Sequence, residues 1–393
     1  MAMEPIGRHA PPWLDKFLLG GLMVSVAAIQ FSIAVGETVL WLTLVGWAAS
    51  LVIERERPQA PPWFLALLAY AGVSVVAAVF SLDRARSLGP VRQMLIFLVV
   101  PATCSIARGG RAHTMARLIV TVGALSAIVG IVEYGVLNFD SLGQRPHGTL
   151  GHYMTYSGLL MLVICATAAR LLYERRQRTW PALVMPALVV ALALTFTRSA
   201  WVGACAGVGL LLILRDFRLL GVLPVVAALF LALAPTAVIN RAYSMFSLHD
   251  PTNRDRVAML EAGAEIVGRY PLTGVGPNVV REVYPSYRRP NAVDARPPHL
   301  HNVPLQIAAE RGLPALAVWL WFIVAAAAHL WRRFRADRAR YLAAAGLGAL
   351  AAMLAAGLFE YNFGDSEFLF TFLILLTLPW AASRDAADRA RAA

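Results

Sequence analysis

Arg254-Asp255-Arg256, Gly274-Val275-Gly276-Pro277 and His299-Leu300-His301-Asn302 all lie in one polar interval, Ile239 to Gly312. The rest of the chain is apolar blocks joined by short basic connectors, and the flanking blocks are too long and uniform for a soluble core. Of 393 residues, 59% are hydrophobic and 15% are charged, against roughly 45–50% and 25% in soluble domains. Mean hydropathy is +0.62. A helix of ~20 apolar residues crosses ~30 Å of hydrocarbon, and many runs here approach that length. Backbone polar groups in lipid must be satisfied internally, and no run alternates as short barrel strands do. The composition therefore predicts an all-α, polytopic integral membrane protein that displays the polar interval on one face.

Twelve apolar runs are expected to be transmembrane helices: residues 17–35, 38–53, 62–80, 88–106, 116–137, 153–172, 180–197, 199–214, 219–238, 313–331, 341–359 and 366–382. They divide the chain into an N-terminal membrane part (1–238), one large loop with short helices (239–312) and a C-terminal membrane part (313–393). Arg8, His9, Asp15 and Lys16 precede the first run, which lacks a small-residue cleavage signal and so reads as a retained helix.

Lys and Arg favour cytoplasmic loops. With both termini inside, the cytoplasmic connectors carry Arg55/Arg57, Arg108/Arg111/Arg117, Arg170/Arg175/Arg176/Arg178, Arg215/Arg218 and Arg332/Arg333/Arg335/Arg338/Arg340. The tails add Arg8, Lys16, Arg384, Arg389 and Arg391, which brings the total to 21 of the 35 Lys and Arg. The net charge of +12 is thus explained by membrane anchoring, and no nucleic-acid motif accompanies it. The outward-facing segments are then Gly36–Glu37, Ser81–Ser87, Asn138–His152, the Arg198 corner, Ile239–Gly312 and Glu360–Glu367. Cys104, Cys165 and Cys205 fall inside apolar runs and read as buried, inert thiols. The Ala-rich runs at 322–328 and 343–356 read as close helix packing through small residues.

Several residues on the outward face offer chemistry. Arg198, in Thr197-Arg198-Ser199-Ala200-Trp201, interrupts a nearly continuous apolar stretch from Pro181 to Leu214. A charge at membrane depth costs ~2.5–3.5 kcal/mol or more, which makes it a functional candidate. The alternative is a boundary arginine snorkelling to headgroups, with Trp201 as interfacial anchor. Further on, Thr252 with Asp255 three residues later predicts a capping box. Val257, Leu260, Ala264 and Val267 then form one apolar face of a surface helix ended by Gly268 and Pro271. Arg256 falls in its first turn, where the helix dipole disfavours a cation and so suggests an anionic partner. Spacing alone does not separate Arg256 from Arg254.

Asn302 is a good helix N-cap, with Pro304 near the first turn and Gly312 able to end or bend the helix. His301 then stands just outside a helix N-terminus, a place that favours the neutral ring a general base needs. His299 and His301 supply two metal ligands, but no third at suitable spacing. Arg145 and His147 sit in the 138–152 loop and can add a cation to the same face. Tyr284, Tyr287, Arg288 and Arg289 are candidates for sugar or phosphate contacts. Asp365-Ser366-Glu367 resembles a divalent-metal acidic pair, but acidic residues opening a helix are ordinary dipole-compensating caps, and that is the preferred reading.

Guanidinium groups bind phosphate oxygens bidentately. Placed near the lipid boundary with a neutral histidine, they fit glycosyl transfer from a polyprenyl-pyrophosphate sugar, without ATP or metal. The arginines would stabilise charge on the departing pyrophosphate, and a single displacement would invert the anomeric centre. A transporter or flippase for an anionic lipid is the reading from another class. It lacks inner-half intramembrane charges and paired broken helices.

Thr197-Arg198-Ser199-Ala200-Trp201, Arg256 opening a helix ahead of Gly274-Val275-Gly276-Pro277, and His301-Asn302 with Gly312 after nine intervening residues resemble the O-antigen ligase and polymerase family. The likeness covers about residues 195–315, with Ala315 departing from the ligase pattern. It implies a GT-C-like glycosyltransferase of the bacterial inner membrane, about twelve transmembrane helices, and one large periplasmic loop. By that resemblance Arg198, Arg256 and His301 are catalytic: the arginines hold the undecaprenyl pyrophosphate of the glycan donor, and His301 activates an acceptor hydroxyl on lipid A-core. Arg254, His299, Asn302, Arg145, Arg288 and Arg289 are expected to bind substrate, with no metal or other cofactor. O-antigen polymerases and protein O-oligosaccharyltransferases share the donor and differ in acceptor. Polymerases tend to carry two sizeable periplasmic loops, and the one loop here favours a ligase or protein transferase.

Overall fold

The computed structural model describes residues 11–174, 177–247, 249–290, 292–336 and 340–392, and among them every regular element is helical. Arg8, His9, Arg175, Arg176 and Arg338 lie outside the described residues. The N-terminal part contains α1 (Pro12–Ala28), α2 (Ile33–Glu54), α3 (Phe64–Val79), α4 (Arg84–Gln93), α5 (Val99–Ile106) and α6 (Gly110–Gly135). It continues with α7 (Tyr153–Tyr173), α8 (Thr179–Leu194), α9 (Arg198–Arg215) and α10 (Val222–Leu233). The polar interval holds α11 (Thr236–Tyr243), α12 (Pro251–Arg269) and α13 (Val280–Tyr287). α14 (Val303–Arg335), α15 (Arg340–Ala356) and α16 (Ser366–Ala392) complete the chain.

Each of the twelve apolar runs contains helix, although the run 17–35 also spans a turn. Seven stretches are long and apolar enough to cross a membrane: Ile33–Glu54, Arg84–Ile106, Gly110–Gly135, Tyr153–Tyr173, Arg198–Arg215, Val303–Arg335 and Ser366–Arg384. Four shorter apolar helices accompany them. α7 is the hub, with every residue from Thr155 to Arg170 buried, as expected of a helix apolar on all sides. It packs against α6, α8, α9, α15 and α16. Small residues set the spacing around it. A Cβ on Gly203 or Gly207 of α9 would lie 2.8 or 2.7 Å from the carbonyl oxygens of Ala352 and Gly348 on α15, so the Gly-x-x-x-Gly spacing lets the two backbones touch.

Four expectations are corrected. The first turn is not Gly36–Glu37 but Ile29–Ser32, and α2 starts at Ile33. Gly36 serves close approach, since a Cβ there would lie 2.8 Å from the Ile29 backbone. Cys205 is exposed on α9, while Cys104 and Cys165 are buried. On α12 the cap is Asp250, whose carboxylate accepts from the Asn253 amide at 3.2 Å, which places Arg256 in the second turn. The helix buries Ala258, Met259, Ala262, Gly263 and Ile266 and leaves Val257, Leu260 and Ala264 exposed. Small residues win that face because the helix presses onto Leu300 and Leu305, against which a Cβ on Gly263 would sit 2.8 and 2.6 Å away.

A clasp joins the polar interval to the bundle. α14 kinks at Gly312 (φ 80, ψ 170). Pro314 has no N–H for the Glu310 carbonyl, and the Leu313 amide turns away to Pro271 O at 2.7 Å. The two carbonyls so released, Ala309 and Glu310, accept from the Val275 and Gly276 amides, each at 2.9 Å. Ser81 and Leu82 donate to Val275 O, and Ser87 donates to Pro277 O. A Cβ on Gly312 would meet Leu272 O at 2.1 Å, and the left-handed backbone alone costs a non-glycine about 1–3 kcal/mol. Gly312→Ala is therefore expected to lower the melting temperature of purified protein and reduce its accumulation in membranes. Wild-type melting would show that the clasp does not govern the fold.

Candidate active site

The clasp brings α12 against the start of α14, and the site forms where they meet. Asn302 Oδ1 accepts from the Leu305 amide at 2.9 Å, and Asn302 Nδ2 donates to Leu358 O at 3.1 Å. The cap therefore also ties α14 to the connection between α15 and α16. In that connection lies Glu360, 4% exposed. Its Oε2 is 2.9 Å from His301 Nδ1 and its Oε1 is 3.5 Å from His299 Nε2. The two rings meet edge to face with centroids 4.2 Å apart. The His301 amide donates to His299 Nδ1 at 3.3 Å, which puts the His299 proton on Nε2, facing Glu360. The same carboxylate draws the His301 proton to Nδ1 and leaves His301 Nε2 as the open acceptor.

Burial opposes charge on Glu360, but the two histidines and the Tyr361 amide outweigh it and hold the carboxyl at about 2. Burial pushes His299 down to about 4, only partly offset by Glu360, so His299 is neutral at pH 7. His301 adopts φ 49. Such strain in a non-glycine residue costs about 1–3 kcal/mol and persists only where the surroundings impose it. Phe196, beside Arg198, is similarly left-handed at φ 54.

The arginines converge from three segments. Arg198, 5% exposed, donates through Nη1 to Ser244 O and Oγ at 3.0 Å each, and through Nη2 to Asp250 at 3.1 Å and Asn253 at 2.9 Å. Arg241 adds a 3.5 Å ion pair to Asp250 and donates to Phe196 O at 3.3 Å. Arg198 is thus pulled inward to pin α11 to α12. Trp201 also turns inward, donating to Leu192 O at 3.0 Å. Burial, then the charges of Arg198 and Arg145, pull Arg241 down to about 10. Arg145 donates to Leu142 O at 3.0 Å and lies 4.3 Å over the Tyr153 ring.

Arg256 keeps capacity for a further partner. It is half-buried, and its Nε is shielded without a hydrogen-bond partner among the described residues. Burial lowers its pKa; Glu360 and Asp250 attract it while Arg198 repels it. Arg254, two residues earlier, is exposed on α12, so the fold separates the two. Asp255 between them accepts from the amides of Val293 and Asp294. Arg288 donates to Ala292 O at 2.7 Å, and Arg289 pairs with Glu261 and Glu265 at 3.3 Å each. Tyr284 and Tyr287 are packed in the small core beneath α12.

Asp365 is half-buried, and burial, then Glu360 and Glu367, push it up to about 8. An unfolded Asp ionises near 3.8, so between there and about 8 the folded state holds one proton more, and stability falls as pH rises. Asp365→Asn lacks that slope. Its melting temperature relative to wild type is expected to climb from pH 5 to pH 8, and a constant offset would refute the protonated assignment.

Sequence reasoning missed Glu360 and Arg241. Glu360 is far from His301 in the chain and has no spacing relation to it; its one signal is a lone acid at the edge of an apolar run. Arg241 opens the polar interval, but only the fold sets it against Asp250. A separate groove of about 810 Å³, lined partly by Trp41, Arg86, Arg92, Gln93 and Asn278, opens beside α2 and α4 and does not include the histidines.

Residues 182–320 match the family model described as O-antigen ligase. That segment belongs to the O-antigen ligase family. The matched segment runs from α8 into α14 and takes in Arg198, Arg241, Arg256, His299 and His301, whereas Arg145 and Glu360 lie outside it. The comparison with curated proteins found no match. An O-antigen ligase match in a chain with seven helices long and apolar enough to cross a membrane fits a multi-pass, glycosyltransferase-like enzyme that takes glycan from a lipid-linked donor to a lipid acceptor.

Proposed function

We propose that this protein is an inverting, metal-independent O-antigen ligase. It moves glycan from undecaprenyl pyrophosphate to lipid A-core on the periplasmic face of the bacterial inner membrane, with both termini in the cytoplasm. The observation that carries the reading is the 2.9 Å contact between His301 Nδ1 and the ionised Glu360, because it leaves Nε2 free to act as a base. His301 Nε2 takes the acceptor hydroxyl proton as that oxygen attacks the anomeric carbon. The bond from that carbon to the pyrophosphate oxygen breaks with its electron pair, and the leaving group departs from the opposite face. Arg256 receives the developing charge, supported by the excess cation of Arg198, Arg241 and Arg145 around a single Asp250.

The test is transfer by purified protein from a polyprenyl-pyrophosphate glycan, with lipid A-core and free donor as competing acceptors. Glycan on lipid A-core alone is expected. Extended donor-linked chains would make the enzyme a polymerase built on the same donor site, and glycan on an added protein acceptor would make it a protein transferase.

A further inference from the structure

His299, His301 and Glu360 present one ligand atom each, all within 4.8 Å of one another. We propose that this triad is also an inhibitory binding site for a borderline transition-metal dication of the Zn²⁺ class. Binding rests on the geometry alone; the inhibition rests on His301 being the base.

Zinc bonds of ~2.0–2.2 Å at tetrahedral angles put ligand atoms ~3.3–3.6 Å apart. The two Glu360 oxygens already lie 2.9 Å (Oε2) from His301 Nδ1 and 3.5 Å (Oε1) from His299 Nε2, so side-chain adjustments of about an ångström bring three donors to that spacing. Their side chains are 16% and 23% exposed and that of Glu360 is 5% exposed, which shelters the site and leaves an entry. The donor forms suit a metal: an ionised carboxylate and, at His299, a neutral imidazole at pH 7. Two imidazoles and one carboxylate select Zn²⁺, Co²⁺, Ni²⁺ or Cu²⁺ over Mg²⁺ and Ca²⁺. The charge of Arg256, felt at His299, opposes any cation and limits affinity.

The consequence follows from the tautomers. A metal on His301 Nδ1 displaces the proton there to Nε2, and the ring stays neutral overall. Nε2 then carries a hydrogen and cannot accept one from a hydroxyl. His299 likewise moves its proton from Nε2 to Nδ1, which breaks its contact with the His301 amide.

The experiment measures Zn²⁺ binding to tag-free protein in lipid nanodiscs, alongside glycan transfer over the same concentration range. Wild type is expected to bind one Zn²⁺ per chain, with affinity reduced at least ~10-fold in both Glu360→Gln and His299→Ala. Transfer should fall in step with occupancy. No stoichiometric binding, or wild-type affinity in either variant, would overturn the site, and a zinc-loaded enzyme at full rate would overturn the inhibition. Co²⁺ bound to wild type gives a readout that needs no variant: intense four-coordinate visible bands are expected, and pale octahedral bands would contradict the site. If His301→Ala turns over normally, the proposed base fails while the Zn²⁺ site stands, so the two failures are distinguishable.

Discussion

His301→Ala is expected to slow glycan transfer by about 10²–10⁴-fold, the usual worth of a positioned general base, while donor affinity stays within a few-fold. The acceptor proton then has no recipient, but the guanidinium groups that engage pyrophosphate are untouched. Glu360→Gln should fall between this variant and wild type, losing about 10–100-fold in rate. Glutamine keeps the shape and can still accept from His301 Nδ1, but it lacks the charge that fixes both ring tautomers. Rates and donor binding should be measured on the same preparations, with melting temperature as a control for folding. Wild-type turnover in His301→Ala removes the histidine from the mechanism. Wild-type turnover in Glu360→Gln alone leaves the base in place and removes the carboxylate as its positioning partner.

Arg256→Ala should cost about 10²–10³-fold in transfer, the range seen when one preorganised charge-stabilising contact is lost. Arg256→Lys should recover only part of that, because an ammonium lacks the planar fork that matches phosphate oxygens. Stability separates Arg256 from Arg198. Arg256 brings a shielded, unpartnered Nε into the fold, so removing it should leave the melting temperature unchanged or raise it. Arg198 holds Ser244, Asp250 and Asn253 together, so Arg198→Ala should lower both rate and melting temperature. Full transfer and normal donor affinity in both alanine variants would break the anion-site argument.

The apolar helices were legible because hydrophobicity is local: every apolar run holds helix, without knowledge of its neighbours. The misplaced turn at Ile29–Ser32 shows the limit, since Ile29 and Phe31 keep the apolar signal running through a real chain reversal. The face of α12 failed for a related reason. Val257 and Leu260 carry more hydrophobic signal than Ala258, Ala262 and Gly263, yet close approach to α14 demands the small ones. At the site, Asn302 was legible as a cap and so located His301 just outside α14. What lay beyond reach was pairing across the chain: Glu360 against His301, Arg241 against Asp250, and the inward turn that distinguishes Arg256 from Arg254. Those depend on the Gly312 kink and the Gly274–Pro277 clasp, which no periodicity encodes.

The most direct measurement is an experimental structure of the protein bound to undecaprenyl pyrophosphate in a lipid nanodisc. The account predicts pyrophosphate oxygens within hydrogen-bond distance of the Arg256 guanidinium, with the bridging end that would carry the sugar facing His301 Nε2. Pyrophosphate lodged instead in the groove beside α2 and α4, against Arg86 and Arg92, would contradict it.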